Sequence, residues 1–167
     1  MDEIAQETKA GDRGEIVIKV NNLSDPELID ALYAASRAGV RVDLIVRSVC
    51  CLRPGVSDLS ENIRVRSIVG SFLEHSRIYR FGGSGRPQRH ALGSADLMPR
   101  NLDRRVEALV TVNDLELAAR LDEILAVNLD PDARCWQLCP DGSWERHPGA
   151  WHPQDRLREI AMRRAAT

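Results

Sequence analysis

The sequence predicts an α/β domain in which a mixed, mostly parallel sheet is flanked by helices. Residues 15–21 (EIVIKVN) are β-branched and nearly all apolar, as in a strand that is covered on both faces. An amphipathic stretch and a second strand-like run follow, which is the order of a strand–helix–strand unit with a right-handed crossover. The length of 167 residues suits one domain with its own core.

The first helix is predicted within NLSDPELIDALYAASRAG. Ser24 and Glu27 have the spacing of a capping box, and Pro26 suits the first helical turn. Apolar residues then recur at intervals of three and four, which gives the helix one apolar face. Gly39 is the expected residue just beyond its C-terminus. Residues 41–48 (RVDLIVRS) return to strand character, so the two strands are expected to be parallel neighbours.

The middle of the chain predicts shorter strands separated by loops. Residues 63–69 and 77–81 have strand character, and the glycine-rich residues 82–89 predict a loop. Residues 104–112 alternate between apolar and polar side chains, as in a half-buried strand. The apolar side chains expected to share one face are Val106, Ala108, Val110 and Val112.

The last third of the chain predicts a helix, a hairpin and a peripheral, arginine-rich helix over residues 153–166. Asp114 is the expected N-cap of the first of these helices. Its apolar stripe is predicted to comprise Leu117, Leu121, Ile124 and Leu125. Two short strands around Pro140-Asp141-Gly142 predict the hairpin. Three histidines lie beside proline or glycine and are predicted to be solvated in loops: His90, His147 and His152.

Composition and charge argue against several classes of protein. No stretch approaches about 18 consecutive apolar residues, so no membrane span is predicted, and the polar N-terminus lacks the apolar core of a signal peptide. The net charge of −2 is not that of a general nucleic-acid or membrane binder. The cysteines occur as Cys50-Cys51 and as Cys135-x3-Cys139, which are poor zinc spacings. We therefore predict a reduced, cytoplasmic protein without a metal site in this chain.

Arginine supplies nearly all of the positive charge, because only Lys9 and Lys19 are lysines among 23 basic residues. A guanidinium is a rigid, forked donor that suits phosphate and carboxylate groups. A GC-rich genome would produce the same composition, so the number of arginines indicates no function, and only the positions of particular arginines can do so. Three segments contain them.

The segment FLEHSRIYRF is the most informative of the three. If the chain is extended from residue 75, then His75, Arg77, Tyr79 and Phe81 share one face, because strand side chains alternate. An imidazole beside a permanent cation suits phosphoryl chemistry, in which the ring carries a phosphoryl group or a proton. A surface histidine at the entrance of a strand is the alternative.

The other two segments supply arginines at loop positions. GSADLMPRNLDRR, residues 93–105, combines small residues with Arg100 and Arg105, which suits a phosphate contact or, equally, a solvated turn. Arg47 lies at the C-terminal end of the second predicted strand, and Arg53 lies in the loop beyond it. Ligands of open α/β sheets bind at this edge, so Arg47 is a candidate phosphate ligand. A salt bridge to a remote acid is the alternative for it.

Two runs of the sequence, residues 21–81 and residues 91–110, resemble the polyphosphate kinase family over their whole length. The pattern His75-x-Arg77, followed by Gly93-Ser94-x-Asp96, is similar to the His-x-Lys and Gly-Ser elements of the phospholipase D superfamily. The resemblance implies the phospholipase D-like C-terminal domain of such an enzyme. Its expected limits are 1–14 for an N-terminal extension, 15–150 for the domain and 151–167 for a C-terminal helical tail.

The resemblance also implies an activity, the reversible transfer of the terminal phosphate of ATP onto polyphosphate through a phosphohistidine on a preceding catalytic domain. Arg47 and His75 are then expected to contact the ATP phosphates, with His75 as the catalytic acid or base. Arg105 is expected to be a further phosphate ligand, and Arg77 and Arg100 complete the candidate set. The Mg²⁺ ligands are expected mainly outside this chain, and the full-length enzyme is expected to be a homo-oligomer.

Three interpretations of the function follow from the sequence. In the first, the chain is the C-terminal catalytic domain and is inactive alone, because the phosphorylated histidine lies on the preceding domain. In the second, it is a non-catalytic module that binds ATP or polyphosphate. In the third, two copies with paired His-x-Arg sites cleave phosphodiesters, which is the weakest interpretation because those enzymes use His-x-Lys. The third would be a phospholipase or a nuclease, whereas a polyphosphate kinase domain is expected to have no nucleic-acid partner.

Overall fold

The computed structural model describes residues 14–83 and 88–166. Within them, one sheet is built from the strands β1 (Gly14–Val20), β2 (Arg41–Val46), β3 (Ile63–Ser67), β4 (Ile78–Gly83), β5 (Arg89–Gly93), β6 (Leu109–Val112), β7 (Cys135–Leu138) and β8 (Trp144–His147). The helices of the same residues are α1 (Pro26–Arg37), α2 (Pro99–Asp103), α3 (Leu115–Leu129) and α4 (Pro153–Ala165). The predicted N-terminal extension lies outside the described residues except for Gly14, with which β1 begins.

The sheet is mixed and has the strand order β6-β5-β4-β1-β2-β3-β7-β8. Strands β1, β2 and β3 are parallel, which confirms the predicted strand–helix–strand unit and the α/β fold. The other five pairings among the described strands are antiparallel, so the expectation of a mostly parallel sheet is wrong. The short β4–β5 and β7–β8 connections allow only antiparallel pairing, because a parallel crossover needs a dozen or more residues.

The two faces of the sheet are covered by different helices, and β1 contributes to both sides. Ile16 and Ile18 belong to the core on the α1 side, together with Leu32 of α1. Val17 points to the opposite face, where it belongs to the core that contains Leu125 of α3. Since strand side chains alternate between the faces, the continuous apolar run of β1 is explained by burial on both sides.

Helix α1 begins one residue later than the predicted capping box requires. Its N-cap is Asp25, whose carboxylate accepts a hydrogen bond of 2.9 Å from the backbone N–H of Leu28. The predicted cap at Ser24 is therefore wrong, while the proline of the first turn is confirmed. Gly39 follows the helix with φ of 89°, a left-handed conformation that glycine adopts without a Cβ penalty, as predicted.

The largest local departure from the prediction lies between β4 and α3. Strand β5 falls partly in the predicted glycine-rich loop and was not expected there. His90 lies on this strand, is buried, and its Nε2 is 2.8 Å from Oδ1 of Asp122 on α3. His147 likewise lies on β8, with Nε2 2.8 Å from the carbonyl oxygen of Pro131. The prediction that these histidines are solvated in loops is wrong.

The strand predicted over residues 104–112 is reduced to the four residues of β6. The N–H of Ala108 donates to Oγ of Ser94 over 3.0 Å, and the carboxylate of Glu107 accepts from Ser94 and Asn101. Ser94 directly follows β5 and Asn101 lies on α2, so these contacts attach residues 107 and 108 to the end of β5 and to α2. Val106 and Val110 are exposed, whereas Val112 is partly buried against the core on the α3 side, so the predicted single face forms only at the end of this stretch.

The last third of the chain agrees more closely with the prediction. Asp114 is the N-cap of α3 and accepts hydrogen bonds of 3.0 and 2.9 Å from the N–H groups of Glu116 and Leu117. Leu121 and Leu125 are buried as expected, but Leu117, in the first turn, is exposed. The β7–β8 hairpin is confirmed. Among the described helices, none is both long enough and apolar enough to cross a membrane.

Candidate functional site

The candidate site lies at the edge of the sheet where the parallel strands β1 and β2 end. Parallel strands bring their carboxyl ends to one edge, which is where α/β proteins hold ligands. The segment after β5 is attached to the loop after β1 at this edge. The N–H of Leu97 donates to the carbonyl of Asn22 over 3.0 Å, and the N–H of Ser24 donates to the carbonyl of Leu97 over 2.8 Å.

Asp96 is the polar centre of this edge and is only 5% exposed. Its carboxylate accepts hydrogen bonds from the N–H of Asn21 at 2.9 Å, from Nδ2 of Asn22 at 2.8 Å and from Nε of Arg77 at 3.1 Å. Burial raises the pKa of Asp96, but these three hydrogen bonds together lower it by more, so the net pKa lies below 3.8. Asp96 is therefore an ionised anchor for Arg77.

Arg77 connects this anchor to the histidine segment. Its Nη1 donates to the carbonyl oxygen of His75 over 2.9 Å, while its Nε is bound to Asp96. Strand β4 begins at Ile78, so His75 precedes the strand, and the expected strand face that includes His75 is wrong. His75 is exposed, whereas Arg77 is half-buried. Arg77 thus holds the backbone of His75 in place.

Arg47 follows directly after β2, at the carboxyl end of that strand, as predicted. Its Nη1 donates to the backbone carbonyl of Glu74 in a short contact. The hydroxyl of Ser67, on β3, donates to the carbonyl of Arg47 over 3.0 Å. No salt bridge among the described residues includes Arg47, so its charge is available beside the residue that precedes His75.

Sequence reasoning missed two charged residues of the same edge. Lys19, near the end of β1, is buried, and its Nζ lies 3.3 Å from Oε1 of Glu74. A lysine inside an otherwise apolar strand was the available signal, because a buried ammonium needs a partner. Glu74 offered no such signal, since its pairing depends on how the loop after β3 folds.

The two remaining candidates, Arg100 and Arg105, share no hydrogen bond with this group among the described residues. Arg100 is exposed on α2, and Arg105 is exposed just beyond that helix. Near Arg105, hydrogen bonds from Ser94 and Asn101 lower the pKa of Glu107 below 4.5. The structure therefore joins Arg47, His75 and Arg77 but does not bring Arg100 and Arg105 into contact with them. Arg53, from the loop beyond β2, instead donates to the carbonyl of Pro140 over 3.3 Å, at the β7–β8 turn.

A largely apolar cleft of about 440 Å³ opens beside the group around Asp96. Strand residues of β1, β4 and β5 form its floor, and α1 and α2 form its sides. Tyr79 lines it, and its hydroxyl donates to the carbonyl of Ala95 over 3.0 Å. Burial raises the pKa of Tyr79 to about 12, so this hydroxyl is a neutral donor near neutral pH.

The acidic, histidine and cysteine side chains of the described residues do not form a metal site. No group of three or more His, Cys, Asp or Glu side chains in residues 14–83 and 88–166 is arranged to hold one. Asp96 and Glu74 are occupied by Arg77 and Lys19. Burial raises the pKa of Cys50 to about 11, so its thiol is protonated near neutral pH and is a poor ligand. The described residues do not fit a Mg²⁺ site of their own.

Comparison with known proteins gives a consistent result over almost the whole chain. The family described as polyphosphate kinase C-terminal domain 2 matches residues 1–156. A polyphosphate kinase from Mycobacterium avium is 53% identical over 150 residues, which are 90% of this chain and 20% of that protein. One from Mycobacterium tuberculosis is 51% identical over 152 residues, with 91% and 20% covered. The chain thus spans a fifth of the length of these relatives.

Solved structures agree with the sequence comparison. The crystal structure of polyphosphate kinase from Porphyromonas gingivalis matches 99% of this chain with a TM-score of 0.91 at 33% identity, and 26% of that chain is covered. NucT from Helicobacter pylori and the phospholipase D family member Nuc from Salmonella typhimurium match with TM-scores of 0.54 and 0.51 at 12% and 14% identity. The latter two show the phospholipase D-like fold alone.

Proposed function

Because the chain belongs to the family of polyphosphate kinase C-terminal domains, we propose that it supplies the groups that hold the phosphates of ATP while the terminal one is transferred to polyphosphate. Arg47 and His75 are the principal residues in this proposal. The observation that carries it is the hydrogen bond from the Arg47 guanidinium to the carbonyl of Glu74. It holds a cation that has no ion-pair partner among the described residues against the backbone of Glu74, which immediately precedes His75 in the chain.

The electrostatics of the edge support this assignment. Lys19 and Arg77 are each neutralised by a carboxylate of the chain, at 3.3 and 3.1 Å. Arg47 has no such partner among the described residues, so it is the cation that is left to offset phosphate charge. A guanidinium binds phosphate oxygens through forked donors, and it stabilises the charge that develops on them during transfer.

The proposed reaction is an in-line displacement at the γ-phosphorus. The bond between that phosphorus and the β–γ bridging oxygen breaks, and ADP leaves with the electron pair on its β-phosphate. A bond forms to an imidazole nitrogen of the preceding domain, and a terminal oxygen of polyphosphate takes the phosphoryl group in a second displacement. In this scheme His75 exchanges a proton with the bridging oxygen, and Arg47 holds the phosphates in line.

Arg77 and Arg105 have different parts in the proposal. Arg77 is bound to Asp96 and to the His75 carbonyl, so we assign it to holding the His75 segment. Arg105 lies at the rim of the apolar cleft, where it is a further contact for a phosphate chain, and exposed Arg100 is the outermost candidate. Mg²⁺, when bound, would offset the negative charge of the phosphates. Its ligands are assigned to the preceding domain.

The remaining partners follow from the share of the relatives that this chain covers. Since the match spans 20% of the polyphosphate kinase from Mycobacterium avium, we assign the phosphorylated histidine to a preceding catalytic domain. The chain alone is then expected to bind ATP and polyphosphate without making polymer. The full-length enzyme is proposed to be a homo-oligomer that acts in the cytoplasm.

Calorimetric titration of the 167-residue chain with ATP, and separately with polyphosphate, tests the phosphate site. Arg47→Ala and His75→Ala are expected to weaken binding, Arg47→Ala by about tenfold or more, since it removes a charged hydrogen-bond donor. Arg53→Ala is the matched control, because this arginine lies in the same loop but contacts the hairpin turn. Equal affinities for all four proteins would contradict the proposal.

A second measurement separates the catalytic interpretation from the binding module. The chain is combined with the remaining segment of a polyphosphate kinase relative, and transfer from ATP is followed. If His75 acts on the bridging oxygen, His75→Ala lowers kcat far more than it raises KM. If the chain is only a binding module, His75→Ala raises KM and leaves kcat unchanged.

A further inference from the structure

The beginning of α4 contacts the loop that carries His75, although the sequence predicts a peripheral helix there. Gln154, in the first turn of α4, is only 5% exposed. Its Oε1 accepts a hydrogen bond of 2.8 Å from the N–H of Phe72, and its Nε2 donates to the carbonyl of Phe72 over 2.7 Å. One side chain therefore satisfies both backbone groups of a loop residue, as a neighbouring strand would.

His152, the N-cap of α4, binds the same loop at Val69, three residues before Phe72. The N–H of Gln154 donates to Nδ1 of His152 over 3.2 Å, so Nδ1 is an acceptor and Nε2 carries the proton. That proton is directed to the carbonyl of Val69 at 3.1 Å. Gly70 allows the close approach, because a Cβ at this position would lie 2.2 Å from Cε1 of His152.

Glu74 continues this set of contacts to the residue next to His75. Its Oε2 accepts from Nε2 of Gln154 at 3.3 Å, and its Oε1 pairs with Lys19 at 3.3 Å. Its backbone carbonyl accepts from Arg47. The residue before His75 is thus held by β1, by the end of β2 and by α4 together.

We propose that Gln154 is a positioning residue, which fixes the loop of residues 69–75 so that His75 stands beside Arg47. The loop contains no helix or strand of its own, and Phe72 and Leu73 are exposed, so its conformation depends on contacts such as these. This inference concerns the same site and rests on the proposed function for its effect on phosphate binding. The structural part of it, the control of the loop by α4, is measurable without any ligand.

Amide hydrogen exchange of the 167-residue chain tests that structural part. Gln154→Ala is expected to raise the exchange rate of the Phe72 amide by about tenfold or more, because that N–H loses its acceptor. The amides of β2 report whether the fold is intact and are expected to be unchanged. Glu159→Ala is the matched control, since Glu159 is an exposed α4 residue that pairs with Arg156. An unchanged Phe72 rate in Gln154→Ala would overturn the proposal.

Gln154→Glu gives a second variant of nearly the same shape. A protonated carboxyl both accepts and donates, as the amide does, whereas a carboxylate only accepts. The carboxylate would face the Phe72 carbonyl and Glu74, and the other titratable or charged groups nearby are His152, Lys19 and Arg47. The Phe72 exchange rate relative to the wild type is therefore expected to rise with pH. A ratio that does not change with pH would contradict the two-bond contact.

Titration with tripolyphosphate then connects the loop to the site. In the wild type, tripolyphosphate is expected to shift the ring resonances of His75, and Gln154→Ala is expected to weaken the affinity about tenfold while Glu159→Ala leaves it unchanged. A released loop with unchanged affinity would overturn the positioning of the phosphate site. If the wild type binds no tripolyphosphate, the proposed function fails, and the Phe72 exchange still decides whether Gln154 controls the loop.

Discussion

Two borders of the sheet differ in the kind of side chain they carry and in how deeply those side chains are buried. At the carboxyl ends of β1 and β2, the charged end, Lys19 and Asp96 are buried and each is paired within the chain. At β6, the apolar edge, Val106 is fully exposed and Leu109 is 69% exposed. The charged end therefore depends on contacts between distant segments, whereas the side chains of the apolar edge make few contacts with the rest of the chain.

This difference has a physical cause. A buried charge is costly unless it has a partner and hydrogen bonds, so the positions at the charged end constrain one another. An exposed apolar side chain carries no comparable penalty, because much of any protein surface is apolar. The comparison predicts that substitutions have large effects at the charged end and small ones at the apolar edge.

Asp96→Ala is expected to have the largest effect among substitutions at the charged end. It removes the acceptor of three hydrogen bonds and leaves the half-buried Arg77 guanidinium without its acid. We expect a loss of about 3 kcal/mol in the free energy of unfolding, measured by urea denaturation. Asp103→Ala, at the exposed end of α2, is the control and is expected to change it by less than about 0.5 kcal/mol. Similar losses for both variants would show that the buried charge of Asp96 contributes no more to stability than an exposed carboxylate does.

The pH dependence of stability sharpens the same comparison and is expected to be smaller. The pKa of Asp96 in the folded chain lies below 3.8, because its hydrogen bonds outweigh its burial. A lowered carboxyl pKa stabilises the folded state above the unfolded value, and this contribution is lost as the pH falls through the folded value. Urea midpoints between about pH 6 and pH 2.5 are expected to fall less steeply for Asp96→Asn than for the wild type. Parallel curves would show that Asp96 does not contribute this dependence.

Leu109→Ala is expected to have the smallest effect. The side chain is mostly exposed on β6, so its truncation is expected to change the free energy of unfolding by less than about 0.5 kcal/mol. Leu125→Ala is the same substitution in a fully buried position of α3 and is expected to cost about 2–5 kcal/mol. Thermal or urea unfolding compares the two, and an equal cost would mean that β6 is packed in solution.

Local patterns predicted the elements whose signals lie within a few residues. The strand–helix–strand unit, the Asp114 cap and the β7–β8 turn all depend on neighbours in sequence, and each is confirmed. The Ser24 cap failed by one residue, because Asp25 is an equally good capping side chain. The strand predicted over residues 104–112 forms only at residues 109–112, because alternation shows which side chains can share a face but not how far a partner strand extends.

The candidate site was predicted in part. The position of Arg47 at the end of β2 was predicted correctly, because it follows a run typical of a parallel strand, while the roles proposed for Arg47 and His75 come from the family resemblance. Glu74 and Gln154 were not found, since their contacts join positions 80 residues apart in sequence. Lys19 was visible as a charge in an apolar strand, but its partner was not.

The sequence by itself determined the family of this chain, its α/β class and the parallel unit at its centre, because these are recorded in continuous runs of residues. The tertiary structure alone decided that β4 pairs with β1, so that most pairings are antiparallel, and that His90 is buried. It also decided that α4 contacts the His75 loop through Gln154. These outcomes depend on long-range pairing of polar groups and strand edges, for which a linear pattern of apolar and polar residues has no unique signal.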